Sequence, residues 1–360
     1  MRIGTVREIK NLEFRVGLTP ENVGELVAHG HKVFVESGAG AGIGLADEAY
    51  RAAGATITPD AAGVFAEAEL IVKVKEPQSS EIARLKSRQT IFTYLHLAAD
   101  PPQAHGLMKS GATAIAYETI TDDHGRLPLL APMSQVAGRM AVQVGAQYLL
   151  KTFGGRGLLL SGVPGVPPAK VGILGAGVSG LHAAEIAAGM RADVTLFDIS
   201  EERLAEADKA LGGKVKCVFS TRAAIAEFLP GADLVIGCVL VTGGTAPKLV
   251  LREDLKRMKQ RAVLVDVAID QGGCFETSRP TTHERPTFLV EGIVHYCVAN
   301  MPGAAPLTST YALTAATMPY VLALADKGVE QALADDPHLA AGVNIQGGKI
   351  IHPAVKAALG

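Results

Sequence analysis

The feature that most constrains the fold is Val171-Gly172-Ile173-Leu174 running directly into Gly175-Ala176-Gly177-Val178-Ser179-Gly180. A stretch of small residues follows, and then Val194-Thr195-Leu196-Phe197-Asp198. This is a short apolar strand, a G-x-G-x-x-G turn, a helix and a second strand ending in an acid. Glycines there let backbone amides approach a pyrophosphate at the helix N-terminus, and the acid can accept hydrogen bonds from an adenosine ribose. Glycine supplies 40 of the 360 residues, so the triplet alone carries little weight. The ordered strand, helix and terminal acid carry the argument and point to a bound dinucleotide. Asp198 favours NAD over NADP, because its carboxylate repels a 2'-phosphate and Ile199-Ser200 brings no cation, although Arg203 lies nearby.

A chain of this length is comfortable for two domains. Only 19% of residues are charged and the formal net charge is -2, which leaves no basic footprint for nucleic acid. Cys217, Cys238, Cys274 and Cys297 are scattered, none in C-x-x-C spacing, so neither a disulfide framework nor a zinc site is indicated and a reducing cytoplasm is expected. The N-terminus reads as a strand followed by charge rather than as a signal peptide. The apolar stretch from 157 to 180 is broken by Pro164, Pro167, Pro168 and Lys170, so no membrane span is expected.

Apolar runs at Ile3–Val6, Lys32–Glu36, Glu69–Val74, Thr90–Tyr94 and Thr113–Tyr117 alternate with alanine-rich segments. A second series follows at Val171–Leu174, Val194–Phe197, Val215–Val218, Asp233–Cys238 and Ala262–Val267. The alternation predicts two doubly wound α/β domains of Rossmann type with a cleft between them. A helix from about Gln135 to Phe153 connects them, and the alanine-rich tail beyond Thr308 reads as helical and packs back on the first domain. The expected division is 1–130 plus 308–360 as a substrate domain and 131–307 as the nucleotide domain. The first domain lacks the glycine turn at its first strand–helix junction.

An enzyme with a dinucleotide and a small substrate needs a cation for a carboxylate and an acid/base group. Arg15 precedes a proline-initiated helix, Lys75 follows the strand Leu70–Val74, His96 ends another strand, and Asp270 lies just beyond Val265-Asp266-Val267. The residue types alone leave each open between chemistry and an ordinary role: a solvated or salt-bridged cation, a core histidine, an aspartate capping a glycine turn.

Several ordered segments then resemble a known family. Gly4-Thr5-Val6-Arg7-Glu8-Ile9-Lys10-Asn11, Glu13-x-Arg15-Val16-x-Leu18-Thr19-Pro20, Val35–Gly40, Val72-Lys73-Val74-Lys75-Glu76-Pro77, Pro132-Met133-Ser134, Ala137–Ala141, Asp270–Gly273 and Val298–Gly303 closely resemble the L-alanine dehydrogenases of the alanine dehydrogenase/pyridine nucleotide transhydrogenase family. The likeness spans essentially the whole chain. It implies reversible oxidative deamination of L-alanine to pyruvate and ammonia, with NAD taking the hydride. By resemblance, Arg15 and Lys75 bind substrate while His96 and Asp270 are catalytic. The resemblance likewise implies that Ser134, Gly175, Gly177, Val178, Gly180, Asp198, Arg203, Ser220, Val239, Leu240, Val267, Ala268, Ile269, Asp270, Arg279, Val298, Ala299, Asn300 and Met301 contact NAD.

The family also implies a homo-oligomer, commonly a hexamer. Some relatives carry an acid and a histidine associated with a metal where this chain has Ala323 and Lys327, so no metal is expected. Two alternatives carry the same fold. One is the NAD-binding component of a proton-translocating transhydrogenase, whose closely spaced Arg, Gln and Asp linker pattern is not evident in Ala131–Arg139. The other is a non-catalytic NAD-responsive binding protein.

Overall fold

Each apolar run forms a strand, shifted by a residue or two at its ends. In the computed structural model, which describes residues 1–239 and 246–359, β1 (Arg2–Thr5), β2 (Lys32–Glu36), β3 (Thr56–Thr58), β4 (Leu70–Val72), β5 (Thr90–Thr93) and β6 (Thr113–Ala116) pair in parallel in the order β3-β2-β1-β4-β5-β6. β3, with three residues, is too short to show an alternating pattern. A second sheet contains β7 (Lys170–Leu174), β8 (Asp193–Asp198), β9 (Lys216–Phe219), β10 (Leu234–Gly237), β11 (Val263–Asp266), β12 (Thr287–Val290) and β13 (Ile293–Tyr296), in the order β12-β13-β11-β10-β7-β8-β9. All its pairings are parallel except the edge pair β12–β13. Both sheets are doubly wound, and in both the strand order reverses beside the first strand, where ligands bind in such folds.

The tail departs from the all-helical expectation. The helix Pro306–Lys327 is present, but β14 (Val343–Gln346) and β15 (Lys349–Ile350) then form a hairpin, and β14 pairs antiparallel with β6. The turn is Gly347-Gly348, both at positive φ (57° and 73°), the chemistry a two-residue hairpin requires. Burial drives the docking: Ile345 and Val355 join a core with Ile71, Ile91, Leu107 and Ala114. The connecting helix also differs, running Ala131–Leu149, with Lys151–Phe153 a separate 3-10 turn. Pro132 fits the first turn of a helix, where its missing N–H costs nothing.

The chain divides into two compact units, Met1–Met133 with Ala305–Gly360, and Ser134–Ala304. In the second, one cluster joins Val171, Ala184 and Leu196 to Ile236, and another joins Leu174, Val235 and Leu264 to Phe275. Alternate residues of the same strands thus feed two apolar layers, as a sheet covered on both faces requires.

Candidate active site

In the second unit the three glycines of the fingerprint have three different physical jobs. Gly175 follows β7 at φ +102°, a conformation that L side chains rarely adopt. A Cβ on Gly177 would meet none of the described residues within 4 Å, so among them this glycine leaves open space at the start of the helix Val178–Gly189. A Cβ on Gly180 would stand 1.7 Å from the carbonyl oxygen of Gly175, so only glycine lets the helix pack this tightly on the turn. The open backbone at a twelve-residue helix N-terminus fits a pyrophosphate.

Asp198, at the end of β8, is buried and braces this turn: it accepts hydrogen bonds from the Ala176 amide at 2.6 Å and the Ser200 amide at 2.8 Å. Each carboxylate oxygen has a further lone pair for a ribose hydroxyl. The other expected nucleotide residues follow one rule. Ser220 lies just past β9, Val239 past β10, Val267–Asp270 past β11 and Val298–Met301 past β13, all beyond the carboxyl ends of parallel strands. Val178 opens the nucleotide helix, Arg203 is exposed in the first turn of Glu201–Leu211, and Ser134 is half-buried in the helix Ala131–Leu149. Arg279 instead covers the ring of Phe288, 4.4 Å from its centroid. Leu240 lies outside the described residues.

Two aspartates near the end of β11 separate cleanly. Asp266 is fully buried and accepts from the amides of Ala268, Cys274 and Phe275 and from the Ser278 hydroxyl at 2.5 Å. Burial pushes its carboxyl up and these donors oppose the push. It organises the loop. Asp270 lies in the 3-10 turn Ile269–Gln271 with its side chain exposed.

In the first unit, the corresponding carboxyl edge carries charged and aromatic side chains. Arg15 lies between β1 and the helix Pro20–Ala28, whose start is fixed by a Thr19–Asn22 capping box and Pro20. Arg15 is 2% exposed. Its Nε and Nη2 donate to the two oxygens of Glu13 at 2.7 and 2.5 Å, and its Nη1 reaches the Met133 sulfur at 3.1 Å. One side of the guanidinium fork is therefore committed to Glu13, which offsets the cost of burying the charge.

Lys75 follows β4, and its side chain is 12% exposed with Nζ 3.7 Å from Glu76 Oε2. Glu76 also pairs with Lys10; burial raises its carboxyl, but Lys75 and Lys10 prevail and hold it below the usual range. His96 follows β5 with its ring half exposed, stacked parallel to Tyr94 at 5.8 Å between centroids. The Tyr94 hydroxyl donates to Leu129 O at 2.6 Å, and burial pushes the phenol well up, so it stays neutral.

Sequence reasoning missed the partners. Lys73 is fully buried and donates to Glu8 at 3.0 Å and Glu81 at 2.7 Å, while Glu8 Oε1 also accepts from the amides of Val74 and Lys75 at 2.7 and 3.2 Å. This triad fixes the backbone that delivers Lys75. Burial would lower the Lys73 ammonium, but the two carboxylates keep it charged; burial, and repulsion from Glu81, raise Glu8. A lysine interrupting the apolar run Val72-Lys73-Val74 was the available signal, since a charge on a buried strand demands a partner. Among the described residues, no group of three or more His, Cys, Asp and Glu is disposed to hold a metal, and no helix is long and apolar enough to cross a membrane.

Two doubly wound sheets, one opening on a glycine-lined helix start and the other edged by Arg15, Lys75 and His96, place the chain among two-domain α/β proteins of the dinucleotide-binding class. Comparison with known families narrows this. Residues 4–137 match the N-terminal domain and residues 141–353 the C-terminal domain of alanine dehydrogenase/PNT, and the chain belongs to that family. It is 58% identical to an alanine dehydrogenase from Halomonas elongata over 100% of this chain and 97% of that protein. A solved L-alanine dehydrogenase, 50% identical, superposes with a TM-score of 0.97 over 99% of both chains. A transhydrogenase from Sinorhizobium meliloti, 26% identical, gives 0.83 over 98% of this chain and 100% of that one.

Proposed function

We propose that this protein catalyses the reversible NAD-dependent oxidative deamination of L-alanine to pyruvate and ammonia. The observation that carries the proposal is the contrast between the two carboxyl edges: open backbone at Gly177, and a buried arginine with a lysine and a histidine on the strand ends of the other unit. The 50–58% identities to alanine dehydrogenases over essentially full length favour this chemistry over transhydrogenation or simple NAD sensing.

Arg15 and Lys75 hold the substrate carboxylate and the oxygen that becomes the keto group. Glu13 grips the Nε/Nη2 side of Arg15 and fixes the plane of its guanidinium. Bound NAD supplies the acceptor for the hydride leaving the α-carbon. The resulting iminium adds water. His96 takes the proton that water loses as its oxygen bonds to carbon, returns it to the carbinolamine nitrogen, and then takes the hydroxyl proton as the C–N bond breaks and the C=O bond forms, releasing pyruvate and ammonia. Asp270 positions the water and amine. The side chains and amides expected at NAD, from Ser134 to Met301, are assigned as its contacts. The free cysteines suit a reducing cytoplasm. Exposed Phe153, Leu159, Val163 and Val166 suit a homo-oligomer, with a hexamer proposed.

The test is NADH consumption with pyruvate and ammonium. Turnover requiring both is expected, and its absence defeats the proposal. His96→Ala is expected to bind NADH within about twofold of wild type and to lose roughly 100- to 10,000-fold in kcat, the range for removal of a general acid/base. Hydride transfer to a thio-nucleotide analogue without need for pyruvate would favour the transhydrogenase reading.

A further inference from the structure

We infer that Glu118 is the positioning residue for His96: it holds the backbone turn that presents the imidazole at the carboxyl edge. The inference rests on the reading of His96 as the proton carrier and adds a residue to it.

His96 has φ +51° and ψ +37°, the left-handed region that a non-glycine residue enters only under constraint. The constraint is visible. Glu118, in the 3-10 turn after β6, accepts from the His96 amide at 2.6 Å and, with both oxygens, from the Leu95 amide at 3.2 Å. The turn in the chain aims the ring outward, half exposed, while the carboxylate that makes the turn is 14% exposed. Glu118 Oε1 also lies 3.8 Å from His96 Nδ1. That is long for a hydrogen bond but close for a charge. The parallel Tyr94 ring fixes the plane of the imidazole.

The other titratable groups around this turn do not accept from these two amides. Tyr94 is neutral and bonded to Leu129 O. Asp100 caps the next helix through the Gln103 amide. His352 precedes the helix Pro353–Leu359 that packs on Leu97–Ala99; burial lowers its proton affinity, Glu118 opposes this, and Nδ1 has no hydrogen-bond partner among the described residues. Glu118 is the carboxylate that His96 faces.

The experiment compares Glu118→Gln and Glu118→Ala in the intact enzyme, using kcat and KM for L-alanine oxidation and NADH titration. Glutamine keeps an acceptor oxygen for the amides and is expected to keep kcat within about threefold of wild type. Alanine, which releases the turn, is expected to lose roughly tenfold or more in kcat, with NADH affinity within about twofold of wild type. In a His96→Ala background, Glu118→Ala is expected to add no further loss. Full kcat in Glu118→Ala, or an equal loss in both variants, overturns the inference. If His96→Ala itself keeps full turnover, the proton-carrier reading falls and this inference falls with it. A dead His96→Ala beside a silent Glu118→Ala removes this inference alone.

Discussion

The two sheets order their first six parallel strands identically, yet their equivalent crevices are built for opposite purposes. In the second unit the crevice beside β7 opens on Gly177, where an added Cβ would meet none of the described residues within 4 Å. In the first unit the crevice beside β1 is filled by the chain itself. Thr5 Oγ1 donates to Val72 O across β1 and β4 at 2.9 Å, and Gly17 sits so close to β4 that a Cβ would fall 2.5 Å from that same carbonyl. The space left is occupied by Glu8 and Lys73 at the strand ends. Topology alone therefore locates a site without deciding its ligand. An empty crevice admits a pyrophosphate, and a filled one becomes a rigid mount for cations.

The sharpest way to break the comparison is to close the open crevice. Gly180→Ala sets a methyl group 1.7 Å from the Gly175 carbonyl oxygen, so the turn must move. NADH affinity, read by fluorescence titration, is expected to fall by on the order of 100-fold as the amides leave the pyrophosphate. A dissociation constant within threefold of wild type would show that the turn does not hold the nucleotide.

Next is the filled crevice. Lys73→Met leaves Glu8 and Glu81 buried without their cation, a change expected to cost about 3–5 kcal/mol in denaturant unfolding near neutral pH. The sign of its pH dependence follows from linkage. Carboxylates with folded-state proton affinity raised above the unfolded value contribute stability at low pH that is lost as pH rises. Glu8 is already raised with Lys73 present, so the variant is expected to approach wild type on acidification toward the carboxylate range. A small, pH-independent loss would mean that the triad is not what holds this edge.

These two tests also mark what the sequence could and could not reveal. Ten strands were legible because their runs are apolar over four to six residues, whereas β3, β12 and β13 were not read, and Lys75, His96 and Asp270 were legible as polar residues just past such runs. The hairpin Val343–Ile350 hid inside an alanine-rich tail because Gly347-Gly348 was its main signal. The partners were illegible for a different reason. Glu8 and Lys73 stand 65 residues apart and meet only because β1 neighbours β4. Glu118 is an ordinary glutamate after an ordinary strand, and β5–β6 pairing is what brings it to His96. Sequence position exposes the candidate site residues at strand ends, whereas strand adjacency selects the residues that support them.

The smallest effect is also the most discriminating, because Asp198 both braces the glycine turn and faces the expected ribose. Each of its oxygens already accepts one amide, from Ala176 and from Ser200. Asp198→Asn keeps one acceptor oxygen and removes the charge, whereas Asp198→Ala removes the brace as well. If charge sets the cofactor preference, Asn should weaken NADH binding by only about tenfold, the scale of one charged hydrogen bond, while narrowing the gap to NADPH. Ala should weaken both nucleotides further and by similar factors. If Asn leaves the NADH/NADPH ratio unchanged while Ala weakens both, Asp198 serves only as a brace, and the open crevice recognises the pyrophosphate without reading the ribose.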